Sequence, residues 1–74
     1  MKSVAEYVKE QLTGAFFVLS RSNLGASSDE EFDAAVRDCV LAGGGDGFVV
    51  TDYSEICGEP LPLKYQTVSC RRTS

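Results

Sequence analysis

Histidine, on which many enzymes and metal sites depend, is missing from this 74-residue chain, which also has no tryptophan. Without histidine, the Ser-His and Cys-His pairs that activate many nucleophiles cannot form within one chain. The chain also lacks the C-x-x-C spacing of zinc sites and the D-x-D-x-D-G loop of calcium sites. We therefore expect a protein that is not an enzyme and needs no metal or cofactor.

Long apolar runs and positive charge are also scarce. The longest apolar run is Ala15 to Leu19, far shorter than the ~20 residues needed to cross a bilayer. The start, MKSVAEYVKEQL, is amphipathic and lacks the continuous apolar run of an export signal. The net charge of −4 argues against direct binding to nucleic acid. These features predict a cytoplasmic protein that contacts neither membrane nor nucleic acid.

The cysteines are few and widely spaced: Cys39, Cys57 and Cys70. Cys39 falls on the apolar side of a predicted helix, where a thiol packs as a small hydrophobic group. In the cytoplasm we expect all three thiols to be reduced. A disulfide between Cys57 and Cys70 is the alternative.

The glycine-rich stretch LAGGGDGFVV, residues 41 to 50, resembles a phosphate-binding loop only in composition. Such loops stand between a strand and the beginning of a helix, where free N–H groups and the helix dipole hold the anion. Here the glycines follow a predicted helix, whose C-terminal carbonyls repel phosphate. We interpret Gly43 as the residue that ends this helix in a left-handed conformation.

Residue periodicity predicts two helices. Ser3 and Glu6 form a capping box, and apolar residues then recur every fourth position, which predicts a helix over 4–12. Ser28 and Glu31 form a second capping box before a longer amphipathic pattern. That pattern predicts a helix over 29–42.

Three segments rich in β-branched and aromatic residues are predicted strands: Ala15 to Leu19, Phe48 to Tyr53, and Leu63 to Arg71. The order α-β-α-β-β indicates an α+β fold in a single domain, residues 1–74. We expect a three-stranded, mostly antiparallel sheet with two helices on one face. The first two strands would run parallel, either adjacent or with the third strand between them.

Acidic residues are concentrated in one part of the chain. Between Asp29 and Glu59 there are nine acids and a single base, Arg37. A surface of this kind steers association with a basic protein partner. The simpler explanation is a solvated surface that keeps a small protein soluble. The candidate partner-binding residues are Asp29, Glu30, Asp33, Asp38, Asp52, Glu55 and Glu59.

A short acidic chain without catalytic residues, with an acidic segment such as SSDEEFDAAVRD, resembles small phage-encoded anti-defence proteins, among which anti-CRISPR proteins are prominent. The resemblance lies in size, charge layout and the absence of catalytic chemistry. It implies stoichiometric inhibition, in which an acidic surface occupies a basic, nucleic-acid-binding surface of a host complex.

Two other functions remain open from the sequence. One is a regulatory module that binds its partner through an exposed strand edge, or that forms a homodimer through the apolar strand Phe16 to Leu19. The other is a small enzyme subunit that contributes residues to a shared site.

Overall fold

The computed structural model describes residues 1–56 and 64–74 and contains three helices and four strands. The α+β class predicted from the sequence is confirmed, but the sheet has four strands instead of three, and there are three helices instead of two. In chain order the elements are α1 (Val4–Lys9), β1 (Phe16–Ser20), α2 (Arg21–Leu24), α3 (Asp29–Ala42), β2 (Gly44–Gly45), β3 (Phe48–Ile56) and β4 (Lys64–Arg72).

The strand latest in the sequence, β4, lies inside the sheet. The strand order is β1-β4-β3-β2, and every pair of neighbours is antiparallel. Arg71 of β4 pairs with Phe16 of β1 on one side and with Val49 of β3 on the other. The strands β1 and β3, which correspond to the first two predicted strands, therefore run parallel with β4 between them. This is one of the two arrangements that the sequence left open.

All three helices contribute to a single apolar core on one face of the sheet. Alternation along the strands decides which side chains enter this core. The inward residues of β1 and β4 meet Phe32 and Val36 of α3, and both of these side chains are almost completely buried. The strand residues in this core are Phe17, Leu19, Phe48, Tyr65, Val68 and Cys70.

The longest helix, α3, has the bounds that the sequence predicts. The Ser28 side chain accepts a hydrogen bond from the Glu31 N–H at 3.2 Å, as the capping box requires. Gly43 ends the helix with φ 79°, in the left-handed region that favours glycine. Among the described residues, no helix is long and apolar enough to cross a membrane.

The glycines after α3 form a short strand that the sequence analysis missed. Gly44 and Gly45 pair with Val49 and Phe48, which makes β2 the edge of the sheet. A Cβ atom on Gly44 would lie 2.6 Å from the Phe48 carbonyl oxygen, so only glycine fits there without a shift of the backbone. The stretch is therefore a helix end followed by a close backbone contact.

The first helix is shorter than predicted, because α1 ends at Lys9 and the pattern extended to Leu12. The Arg72 guanidinium donates hydrogen bonds to the Lys9 carbonyl oxygen, which the end of the helix leaves free, and to the Gln11 carbonyl oxygen just beyond it. The chain turns away at this point, and Leu12 is 81% exposed. Periodicity alone could not show that a distant arginine holds this helix end.

Several other boundaries differ from the prediction, and β1 is shifted by one residue, from the predicted Ala15 to Leu19 to the observed Phe16–Ser20. Arg21–Leu24, for which no helix was predicted, forms the short helix α2, with Ser20 as its N-cap and Gly25 ending it at φ 72°. The strand β3 extends to Ile56, three residues beyond the predicted end at Tyr53. The strand β4 is Lys64–Arg72, and the predicted first residue, Leu63, lies outside the described residues.

Candidate functional site

One side of α3 faces solvent and carries acids without a base. Four exposed residues recur at helical spacing on this side: Glu30, Ala34, Asp38 and Leu41. We call these four residues the outer face of α3. The Glu30 side chain is 72% exposed, and its carboxylate lies 3.7 Å from the Lys64 ammonium group, a loose surface pair. Small Ala34 between the two acids leaves both carboxylates accessible.

Asp33 was also a predicted partner-binding residue, but its carboxylate is engaged inside the protein. One oxygen accepts the Tyr65 backbone N–H at 2.9 Å, and both accept hydrogen bonds from the Arg37 guanidinium at 2.9–3.1 Å. Because β1 ends at Ser20, opposite Thr67, no strand of the described residues lies beside β4 at Tyr65 on that side. The carboxylate supplies the missing acceptor, and the Asp33 side chain is only 13% exposed. Asp33 thus holds α3 against β4.

Asp52, on β3, also binds a backbone N–H group with its carboxylate. Its carboxylate accepts the N–H of the next residue, Tyr53, at 2.8 Å. On β1, the Asn23 side chain donates to the Val18 carbonyl oxygen at 2.8 Å. Side chains that satisfy backbone groups in this way oppose the addition of a foreign strand to the sheet. These contacts give no support to partner binding by strand addition.

A cluster that the sequence analysis missed borders the outer face of α3. The rings of Tyr53 and Tyr65 meet edge to face with centroids 5.3 Å apart, and the Arg37 guanidinium carbon lies 5.3 Å from the Tyr65 centroid. We call these three residues the tyrosine cluster. Tyr53 remains 47% exposed. The available signals were the i, i+4 spacing of Asp33 and Arg37 and the two tyrosines in predicted strands, but none of them predicts this contact.

The remaining predicted acids are spread over several positions. Asp29 lies 3.6 Å from the Arg21 guanidinium of α2. Glu55 is exposed and pairs across the sheet with Tyr65, so it lies beside the tyrosine cluster. Asp52 pairs with Ser69, which is on the side of the sheet away from the helices. Glu59 lies outside the described residues. The structure therefore brings Glu30, Asp33 and Glu55 to the beginning of β4 and leaves Asp29, Asp38 and Asp52 apart from them.

The described thiols are held in their protonated form. Burial raises the pKa of the Cys70 thiol to about 11, and the nearby Cys39 adds to the shift. Burial, followed by the charge of Asp38, raises the pKa of Cys39. Both thiols are free, and since the thiolate is the reactive form, both are suited to packing and not to catalysis. The predicted alternative, a bond from Cys70 to Cys57, involves a residue outside the described ranges.

A cleft of about 320 Å³ lies between α1 and the turn at Gly47, and its walls include Lys9, Asp46 and Arg72. The Arg72 guanidinium is occupied by the carbonyl oxygens at the end of α1 and by that of Ser74. Within residues 1–56 and 64–74, no group of three or more side chains is placed to hold a metal ion.

Comparison with protein-family models, with curated proteins and with solved structures gives no match.

Proposed function

We propose that this protein is a non-enzymatic inhibitor that binds a basic surface of a protein partner stoichiometrically and blocks it. The observation that carries the proposal is the outer face of α3, where Glu30 and Asp38 are exposed. Arg37 is the single base of this helix, and its guanidinium donates to the Asp33 carboxylate and lies over the Tyr65 ring, away from the outer face. The charge that reaches solvent along the outer face is therefore negative, which favours fast and salt-sensitive association with a basic surface.

The tyrosine cluster supplies contact area that can be buried against a partner, which exposed carboxylates alone do not provide. Tyrosine and arginine are enriched at the energetic centres of protein interfaces, because they bury a large area with few flexible bonds. Tyr53 and Arg37 are both partly exposed. Glu55 pairs with Tyr65 across the sheet, and Glu30 lies near Lys64, the residue before Tyr65. We place the partner over the N-terminal half of α3 and the adjoining part of β3.

The resemblance to phage anti-defence proteins gives the proposal its more specific form. In that form the partner is a host defence complex in the cytoplasm, and the blocked surface is one that binds nucleic acid. Carboxylates on the outer face would then take the positions of phosphates among lysine and arginine side chains. Nucleic acid and this protein would compete for the same surface.

The test compares two double charge reversals of equal size. Glu30→Lys with Asp38→Lys changes the outer face of α3, whereas Glu6→Lys with Asp46→Lys changes exposed acids elsewhere by the same amount. Each protein is immobilised and exposed to a bacterial lysate at low and at high salt, and the captured partner is then purified for titration. We expect the first variant to lose at least tenfold in affinity and the second to bind almost as the parent does.

Several results of this test would contradict the proposal. Equal losses in both variants would show that only net charge matters and would contradict a specific outer-face site. Partner binding that does not weaken with salt, or that proceeds unchanged in the presence of nucleic acid, would contradict the inhibitor mechanism. Circular dichroism of both variants checks that the fold is retained.

A second function, a module that associates through an apolar surface, is supported by a different observation. The sheet face away from the helices exposes Phe16, Val18 and Val49. An enzyme subunit is the third candidate, and it would show a thermal shift with a small molecule or a metal ion.

A further inference from the structure

The side of the sheet opposite the helices, which we call the open face, has a regular arrangement of side chains. Alternation places the residues that flank the buried Val68 and Cys70 on this side. Cross-strand pairing then aligns three rows across β1, β4 and β3: Phe16, Arg71 and Val49; Val18, Ser69 and Asp52; Ser20, Thr67 and Ser54.

Apolar area is concentrated in the first two rows. Phe16 is 74% exposed, Val18 is 41% exposed and Val49 is 40% exposed. No helix of the described residues packs on this side, since α1, α2 and α3 all join the core on the other. The third row is formed by hydroxyl side chains, and Ser54 and Thr67 share a hydrogen bond of 2.6 Å. The open face therefore has one apolar end and one polar end.

The charges of the open face balance, in contrast to the acidic outer face of α3. Arg71 lies over the Phe16 ring at 6.0 Å and forms no ion pair with any residue in the described ranges. Asp52 lies one row away on β3, and one of its oxygens accepts the Tyr53 N–H. One unpaired cation and one partly satisfied anion on the same surface can each find their complement on an identical surface.

We propose that the open face binds a second copy of this chain, with the two sheets stacked face to face. A two-fold axis across the strands, between the first and second rows, lays Phe16 of each copy on Val18 of the other. The same axis places Arg71 of each copy diagonally opposite Asp52 of the other. The contact is isologous, so each apolar pair and each ion pair occurs twice. This inference deepens the second candidate function, association through an apolar surface, and does not depend on the proposed inhibitor function.

Other arrangements of two copies fit less well. An axis parallel to the strands and centred on β4 would set Arg71 directly against its own symmetry mate, and like charges repel. Sheet extension through the edges is opposed by Asn23 and Asp52, which already bind backbone groups of β1 and β3. An interface of nine mostly small side chains is well below the ~20–30 residues per partner of a standard interface, so we expect a weak dimer.

The first experiment follows molar mass with concentration, by sedimentation or light scattering, up to millimolar protein. We expect the parent to show a monomer–dimer equilibrium and Phe16→Ser to weaken it at least fivefold. Leu41→Ser is the matched control, because Leu41 is 72% exposed but belongs to the outer face of α3. A parent that stays monomeric throughout, or a dimer lost equally in both variants, would overturn the proposal.

The second experiment reads the ion pair directly. Arg71→Glu and Asp52→Arg should each weaken the dimer, since each places like charges across the interface. The double variant should recover it, because the pair is restored with reversed signs. Failure of the double variant to recover, with its circular dichroism unchanged, would refute the two-fold arrangement.

Both experiments use this protein alone, so a negative result in either one can be distinguished from failure of the proposed inhibitor function. If Phe16→Ser instead abolishes binding to a captured partner while the protein remains a monomer, the open face binds that partner and the proposed dimer is refuted.

Discussion

The two faces of the sheet are built from the same strands but serve opposite purposes. On the covered face, Leu19, Val68 and Cys70 have no exposed surface, and the helices fix each side chain in place. On the open face lie the residues next to them in the strands. Of these, Val18 and Arg71 are exposed and Ser69 is partly buried. A single step along a strand thus separates residues that hold the fold from residues available for binding, and mutations should show this difference.

The largest difference should appear on truncation of a phenylalanine on each side. Phe32→Ala removes a ring that is 1% exposed in the covered core, and we expect it to lower the free energy of unfolding by about 3–5 kcal/mol. Phe16→Ala on the open face should lower it by less than about 1 kcal/mol. Urea unfolding of dilute protein measures both. Similar losses would mean that the two faces are not distinct.

The second contrast concerns alkaline pH and the covered-face residue Cys70. Its pKa is raised from the ordinary 9.0 to about 11 in the folded protein. Below pH 9 both states keep the proton, so this thiol adds no pH dependence. Between pH 9 and 11 only the unfolded state releases the proton, so stability should fall by about 1.4 kcal/mol per unit, about 2–3 kcal/mol in all.

Cys70→Ala is the control for this pH effect, because other titrating groups are common to both proteins. The parent should lose more stability than the variant between pH 9 and 11, in urea titrations with reductant present. Parallel pH profiles would show that the folded protein does not hold this thiol proton.

The smallest contrast compares two aspartates with similar hydrogen bonds. Asp33 binds the Tyr65 N–H and Arg37 with its side chain mostly buried, whereas Asp52 binds the Tyr53 N–H on the exposed strand β3. Asp33→Ala should cost about 1–2 kcal/mol, since a charged hydrogen-bond network is lost near the core. Asp52→Ala should cost about 0.5 kcal/mol or less. Thermal unfolding of the two variants checks the order, and a larger loss for Asp52→Ala would reverse our assignment.

Most of the α+β pattern could be predicted because it depends on local signals. The bounds of α3 follow from the Ser28 capping box, the apolar periodicity and Gly43. The helix α2 was missed because four residues are too short to display a period. The strand β2 was missed because two glycines carry no side-chain pattern, and its pairing with Val49 and Phe48 is visible only in three dimensions.

The candidate site could be predicted only in part, for a related reason. Helical spacing places Glu30 on the solvent side of α3, as the structure does, but it places Asp33 there as well and puts Asp38 near the edge of the apolar stripe. It cannot show that β1 ends at Ser20, which leaves the Tyr65 N–H for Asp33 to bind. It also cannot show that Arg37 lies over Tyr65, because that contact joins distant parts of the chain. Charge could be counted from the sequence, but which charges reach solvent depended on the tertiary structure.

The inner position of β4 has a consequence for how the protein folds. The strand β1 has a single neighbour in the described sheet, and that neighbour is β4, so Phe16 finds its pairing partner only when Arg71 arrives. Until then β1 carries a short apolar segment with no hydrogen-bonded neighbour. Long-range pairing of this kind slows folding compared with helical proteins of similar size. During synthesis the described sheet cannot be completed until β4 has been made, whereas α3, the longest of the described helices, depends mainly on local hydrogen bonds and can form earlier.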